Sequence, residues 1–260
     1  MIDYNDKVVL VTGGASGIGL AMARAFRARG ARLVIADIVE ERVQAVARDF
    51  GNDARGIHCD LAEAAAGARL VGEAFRAFGR LDVVCSNAGI GHRKNVIKEL
   101  LGERVSRLFD VNLFAGIRIA QAFQEVLVRE GTQGHLLLTA SENSLSVPSA
   151  VRRNGLGLYA ASKHGLLIVA EWMREEIAGG PMSVHVLLPG AVYTPLISQS
   201  VPDPSNVPAE YNLIMPERCA EIALKGLDLG LFYIPTQKHL ADDMVPRTEG
   251  IKASVSKLGL

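Results

Sequence analysis

Tyr159 and Lys163 stand four residues apart in the run Tyr159-Ala160-Ala161-Ser162-Lys163. On a helix, positions i and i+4 share a face, so a phenol and an ammonium would enter the same space. A nearby cation favours the phenolate and lowers the tyrosine pKa, bringing a poor acid–base group closer to neutral pH. Ser141 lies just beyond the apolar run His135–Thr139 and offers a donor toward a developing alkoxide. Oxidising an alcohol removes a proton from oxygen and a hydride from carbon, so such a base belongs beside a redox cofactor. A second constellation can hold that cofactor. Thr12-Gly13-Gly14-Ala15-Ser16-Gly17-Ile18-Gly19 follows one apolar run and opens a helix-like stretch. Backbone amides at such a helix start, aided by the dipole, bind a pyrophosphate, and the glycines let a dinucleotide approach the main chain. Their spacing is GxxxGxG rather than GxGxxG. Asp37 ends the next apolar run. There a carboxylate accepts from the adenosine ribose hydroxyls and repels a 2′-phosphate, although it could also cap the helix that follows. It points to NAD before NADP.

These residues need a scaffold, and its rhythm is regular. Lys7–Thr12, Arg32–Asp37, Ala54–Cys59 and Leu81–Ser86 are short apolar or β-branched runs suited to buried strands. Between them Gly17–Arg29, Val39–Asp49 and Leu61–Phe78 carry apolar residues at helical spacing, with Asp60 as N-cap of the third. The second half continues with a long helix over Leu101–Arg129, a strand His135–Thr139 and a helix Tyr159–Ala178. A strand Val184–Leu188, a helix from about Pro216 and a last strand Leu231–Pro235 complete it. Strand and helix in alternation imply right-handed βαβ units. The expectation is an α/β fold: a doubly wound parallel sheet of about seven strands, helices on both faces, residues 1–260 forming a single domain. The tail from 239 to 260 reads either as a helix broken at Pro246 or as a partly mobile segment.

Composition narrows the class. The 260 residues carry 28 Lys plus Arg against 28 Asp plus Glu, and that balance argues against a nucleic-acid partner. The expected partners are a small-molecule alcohol or ketone and further copies of the chain. No leader-like apolar stretch precedes Lys7. The run Ile177–Pro202 lacks any charged residue, but Pro181, Pro189, Pro195 and Pro202 interrupt it, so it reads as a strand and a ligand-facing loop rather than a membrane span. Cys59, Cys85 and Cys219 have no zinc-like spacing, no metal is expected, and buried reduced thiols suit a cytoplasmic protein. In a 3-2-1-4 strand order Cys59 and Cys85 lie about 14 Å apart, too far for a disulfide.

Together these residues resemble the short-chain dehydrogenase/reductase family in its compact, NAD(P)-dependent branch. The resemblance rests on Thr12–Gly19, Asp60-Leu61, Asn87-Ala88-Gly89, the Ser141/Tyr159/Lys163 set and Pro189-Gly190-Ala191-Val192-Tyr193-Thr194. It implies a Rossmann-like fold with Tyr159 as general acid–base, Ser141 on the substrate oxygen, and Lys163 on the nicotinamide ribose. Asn112 matches the family's helix asparagine that supports a proton-relay water. Cofactor contacts are implied for Gly13, Ser16, Gly17, Ile18, Gly19, Asp37, Ile38, Asp60, Leu61, Asn87, Ala88, Gly89, Tyr159, Lys163, Pro189, Gly190, Val192 and Thr194. Asp60 would meet the adenine, and Val192 and Thr194 the carboxamide. The family is commonly oligomeric through helices matching Leu101–Arg129 and Tyr159–Ala178, so a homotetramer or homodimer is implied.

The expected activity is NAD-dependent interconversion of a hydrophobic secondary alcohol and a ketone. The alternatives are an NADPH-preferring carbonyl reductase and a non-catalytic dinucleotide sensor of the same fold. Two departures matter. Ser86 stands where many relatives carry a second Asn, and Ser146–Leu158 reads as an insertion beside the pocket. Ser144 is a second candidate for the serine role. The pocket is expected from Ile90–Val96, Glu142–Leu158 and Val192–Met215, the last as a lid. His92 faces either substrate or solvent, Glu142 and Asn143 either the pocket or a polar loop. Arg152 and Arg153 read as exposed, His135 and His185 as structural, and Trp172 as core or subunit packing.

Overall fold

The computed structural model describes residues 1–99 and 101–260. Strands β1 (Val8–Thr12), β2 (Arg32–Asp37), β3 (Ala54–His58), β4 (Val83–Ser86), β5 (Gly134–Thr139), β6 (Met182–Leu188) and β7 (Tyr233–Pro235) form one sheet in the order β3-β2-β1-β4-β5-β6-β7. Every neighbouring pair is parallel. Successive side chains point to opposite faces, so both faces need cover and the strands read as nearly unbroken apolar runs. Leu10, Val34, Val84, Leu136 and Leu138 pack against α3 (Ala66–Phe78), α5 (Ala115–Glu130) and α6 (Gly157–Glu176). Val9, Val11, Ile35, Cys85 and Leu137 pack against α1 (Gly17–Arg27), α2 (Glu40–Phe50) and α8 (Pro216–Asp228). The doubly wound expectation holds, and the cysteines are free and buried.

Four boundaries differ from expectation. α3 starts at Ala66, because Asp60 bonds the amide of Ala62, two residues on, at 3.0 Å instead of capping the helix. The long helix comprises α4 (Glu103–Phe109), a π-helical turn Asp110–Phe114, and α5. A four-residue helix, α7 (Pro195–Ser198), opens the lid. In the tail, Pro246 sits in the first turn of α9 (Val245–Lys257), where a missing N–H costs nothing, and therefore starts a helix rather than breaking one. No helix among the described residues is long and apolar enough to cross a membrane.

Sheet order reverses between β1 and β4. In open α/β sheets ligands bind outside the carboxyl ends of the strands at such a switch point.

Candidate active site

A cleft of about 510 Å³ opens at that switch point. Thr12 joins the two strand ends there: its Oγ1 accepts from the Asn87 and Ala88 amides at 2.9 and 3.0 Å, and its carbonyl accepts from Asn87 Nδ2 at 3.1 Å. Thr139 Oγ1, ending β5, donates to Asn87 Oδ1 at 3.3 Å, so three strand ends are tied side by side.

The glycine turn leaves no room for side chains. Gly13 has φ +61°, and a Cβ there would lie 3.0 Å from Ala88 Cα. A Cβ on Gly19 would lie 2.2 Å from the Gly13 carbonyl oxygen. This hollow, with the first amides of α1 facing it and Asp37 at its far end, fits a dinucleotide. Gly13, Ser16, Gly17, Ile18, Asp37, Ile38, Asp60, Leu61, Asn87, Ala88, Gly89, Pro189, Gly190, Val192 and Thr194 all line the cleft, as do Ser141, Tyr159 and Lys163. Gly19 and Asn112 stand behind it. Asp37 Oδ2 accepts from the Ala15 amide at 3.2 Å, in the glycine turn, and Oδ1 from the Val39 amide at 3.1 Å; α2 has no side-chain cap, so Asp37 turns the chain ahead of the helix rather than capping it.

Asp60 lies at the same end as Asp37, with both oxygens on Arg107 at 3.1 and 2.9 Å. Burial works against its charge, but the Ala62 amide and Arg107 hold the carboxyl below its usual range. Sequence reasoning missed Arg107 and also Arg42, which lines the cleft with Asp37. Arg42 lies on the first turn after the acidic residue, a signal that could have found it. Arg107 had none, being 47 positions from its partner.

At the other end Tyr159 is in the first turn of α6, and Lys163 follows one turn on. Lys163 is buried and donates to the Thr139 carbonyl at 2.7 Å. Burial pushes its ammonium down to about 8. Burial also pushes the Tyr159 phenol up; a hydrogen bond from Ser141 pulls it down, and the charge of Glu142 adds to the rise. This corrects the expected electrostatics. Burial outweighs the groups that favour the Tyr159 phenolate, and the Lys163 Nζ is held on a strand carbonyl. Ser141 caps a short 3₁₀ turn, Glu142–Ser144. The alternative serine, Ser144, accepts the Ser141 amide at 3.1 Å and is wholly buried, so it supports Ser141 rather than replacing it. Asn112 Oδ1 accepts from the Ile90 amide at 2.8 Å, while Nδ2 donates to Ile90 O and Ser162 Oγ. Its side chain holds the loop after β4 against the π turn and keeps one Oδ1 lone pair for a further donor.

The pocket expectation needs correction too. Ile90, Gly91, Val192, Leu196, Ile197 and Gln199 reach the cleft, whereas no residue of Glu142–Leu158 lines it. The insertion is an anchor instead. Its Gly155 carbonyl accepts the Lys94 amide at 2.8 Å, and Asn154 Nδ2 donates to Tyr211 Oη at 3.0 Å, tying the loop after β4 to the lid. Likewise the lid beyond Gln199 does not line the cleft. His92 is buried, its Nε2 3.7 Å from Glu99, and faces neither solvent nor the cleft. Glu142 is buried against His239 Nε2 at 3.1 Å; burial pushes its carboxyl up and His239 opposes this. Arg152 and Arg153 are exposed. His135 and His185 bond each other at 3.1 Å. Trp172 is 63% exposed, which removes the core reading and leaves the subunit one.

Comparison with known proteins agrees with this arrangement. The short chain dehydrogenase family model matches residues 7–205. The chain is 34% identical over 232 residues to a 1-deoxy-11-beta-hydroxypentalenate dehydrogenase of Streptomyces exfoliatus, covering 88% of this chain and 82% of that one. It is 30% identical over 217 residues to a 2,5-dichloro-2,5-cyclohexadiene-1,4-diol dehydrogenase of Sphingobium indicum, covering 83% and 84%. A solved short chain dehydrogenase/reductase from Burkholderia phymatum in complex with NAD superposes with a TM-score of 0.85 at 23% identity, over 98% of this chain and 97% of that one. The chain belongs to the short chain dehydrogenase family of oxidoreductases.

Proposed function

We propose that this protein is an NAD-dependent dehydrogenase that interconverts a hydrophobic secondary alcohol and its ketone, with residues 1–260 acting as one catalytic domain. The observation that carries the reading is the meeting of Ser141, Tyr159 and Lys163 in the same cleft as the glycine turn. When bound, a nicotinamide dinucleotide supplies the hydride acceptor for oxidation and the donor for reduction. Gly13 to Ile18 would hold its pyrophosphate, Asp37 its ribose, and Asn87 to Gly89 its flank.

The protein's own part is the proton. Tyr159 takes it from the alcohol oxygen in oxidation and returns it in reduction. Lys163, with its ammonium near 8, can exchange a proton close to neutral pH and hand it on from the phenol. Ser141 donates to the oxygen as negative charge builds. Beside Tyr159 and Lys163 the cleft is lined by Ile90, Val192, Leu196 and Ile197, whereas its other charged side chains among the described residues, Asp37, Arg42, Asp60 and Arg107, belong to the opposite end. That lining favours an alcohol on a largely apolar body, as does the likeness to dehydrogenases named for a hydroxypentalenate and a cyclohexadiene-diol.

The test is NADH formation across a panel of secondary alcohols, with Tyr159→Phe as control. Cyclic and aromatic alcohols should turn over well above small polar ones, and Tyr159→Phe should abolish turnover. Normal turnover by that variant would end the proposal. Asp37→Ala, titrated with both cofactors, should weaken the preference for NAD over NADP; an unchanged ratio would remove Asp37 as its source.

A further inference from the structure

Ser141 Oγ accepts two hydrogen bonds from one residue. The Asn143 backbone amide donates at 3.2 Å and Asn143 Nδ2 at 3.3 Å. A serine hydroxyl has two acceptor lone pairs and one donor. With N–H groups on both lone pairs, the one hydrogen bond left to Ser141 is the one it donates. Ser144 holds the Ser141 backbone: its Oγ accepts the Ser141 amide at 3.1 Å, and its own amide donates to Ser141 O at 2.9 Å. Ser141 and Tyr159 line the cleft together, whereas Asn143 does not reach it.

We propose that Asn143 is a positioning residue for the reaction: by donating both of its amides to Ser141 Oγ, it makes the serine an obligate donor toward the substrate oxygen. The inference rests on the dehydrogenase reading of this cleft. Its chemical consequence is a division of labour. A ketone or alkoxide oxygen is an acceptor and suits such a serine; an alcohol O–H finds no acceptor there, so its proton goes to Tyr159. Without substrate, that single proton is free for the Tyr159 phenol, and the downward pull of Ser141 there has the same sense, since a donated bond favours the phenolate. The orientation of the Asn143 amide is the crux. Turned over, its Oδ1 would accept the serine proton and draw it out of the cleft. Asn143→Asp imposes that reversed arrangement at equal size.

The experiment measures kcat, KM for the alcohol and NADH affinity by fluorescence for Asn143→Ala and Asn143→Asp, each alone and with Ser141→Ala. Asn143→Ala keeps the backbone donor and should lower kcat about three- to tenfold, the worth of one neutral hydrogen bond. Asn143→Asp should fall further, toward the Ser141→Ala rate, with NADH affinity unchanged in both. A packing role predicts the opposite order, because aspartate fills the space and alanine does not. In the Ser141→Ala background neither change should lower kcat further. If Ser141→Ala is too slow for that cycle, ultraviolet titration of the Tyr159 phenol, isolated by difference from Tyr159→Phe, decides. Asn143→Ala should raise its pKa, and an unchanged value overturns the proposal, as does an aspartate variant as active as the native protein. Tyr159→Phe run alongside separates the two ideas: its inactivity with normal Asn143→Asp turnover ends only the positioning role, and its activity ends the dehydrogenase reading.

Discussion

Lys163→Met should make the protein more stable near neutral pH while abolishing turnover. The ammonium is buried, and its pKa falls from 10.5 to about 8. At 1.36 kcal/mol per unit, holding the charge inside opposes folding by about 3 kcal/mol at pH 7. The folded value is the depressed one, so this penalty is complete below pH 8 and disappears as pH rises from 8 toward 10.5. Against it stands the bond from Nζ to the Thr139 carbonyl at 2.7 Å, whose loss leaves a buried acceptor unpaired at a cost of about 1–3 kcal/mol. Methionine fills the same channel without charge. The net expectation is a gain of about 0–2 kcal/mol at neutral pH for the cofactor-free protein, turning into a loss near pH 10.5, where only the missing hydrogen bond counts. Urea unfolding of both proteins across that range measures the difference, and groups common to both cancel. A variant less stable than the native protein at pH 7, by an amount independent of pH, would refute the argument: Lys163 would then be well solvated or well paired in the fold.

Gly19→Ala should weaken NADH binding at least tenfold, and destabilise the fold by about 1–3 kcal/mol, because its Cβ would meet the Gly13 carbonyl oxygen at 2.2 Å and neither backbone segment can yield cheaply; unchanged NADH fluorescence titration would contradict it. Trp172, 63% exposed, shares a groove of about 380 Å³ with Ile168, Phe232 and Tyr233. If copies of the chain associate through this face, Trp172→Arg should shift the mass measured by light scattering to a smaller species, and an unchanged mass excludes the groove as the contact.

The strands were legible in the sequence because burial on both faces writes itself as local apolar runs, and their observed ends lie within two residues of expectation. The glycine turn was legible for a related reason: close backbone approach demands glycine whatever else the chain does. Illegible were the contacts made across distance. The Lys163 ammonium meets a carbonyl 24 positions away, and Arg107 meets Asp60 across 47 positions. The anchoring of 146–158 depends on Lys94 and Tyr211, neither of them a neighbour in sequence. The π turn at Asp110–Phe114 carries neither Pro nor Gly to announce it.

The Tyr159–Lys163 pair marks the limit of what spacing decides. A spacing of four fixes only that two side chains leave a helix on the same face; it does not fix where a flexible four-carbon chain ends. Burial removes solvent from the Lys163 ammonium, so the charge must find an oxygen, and the Thr139 carbonyl at the end of β5 is the one it takes. Spacing alone therefore does not decide the phenol's pKa, and its desolvation prevails. Hence the group best placed to favour the phenolate is Ser141, and the sign of its hydrogen bond is decided two residues on, by the two amides of Asn143.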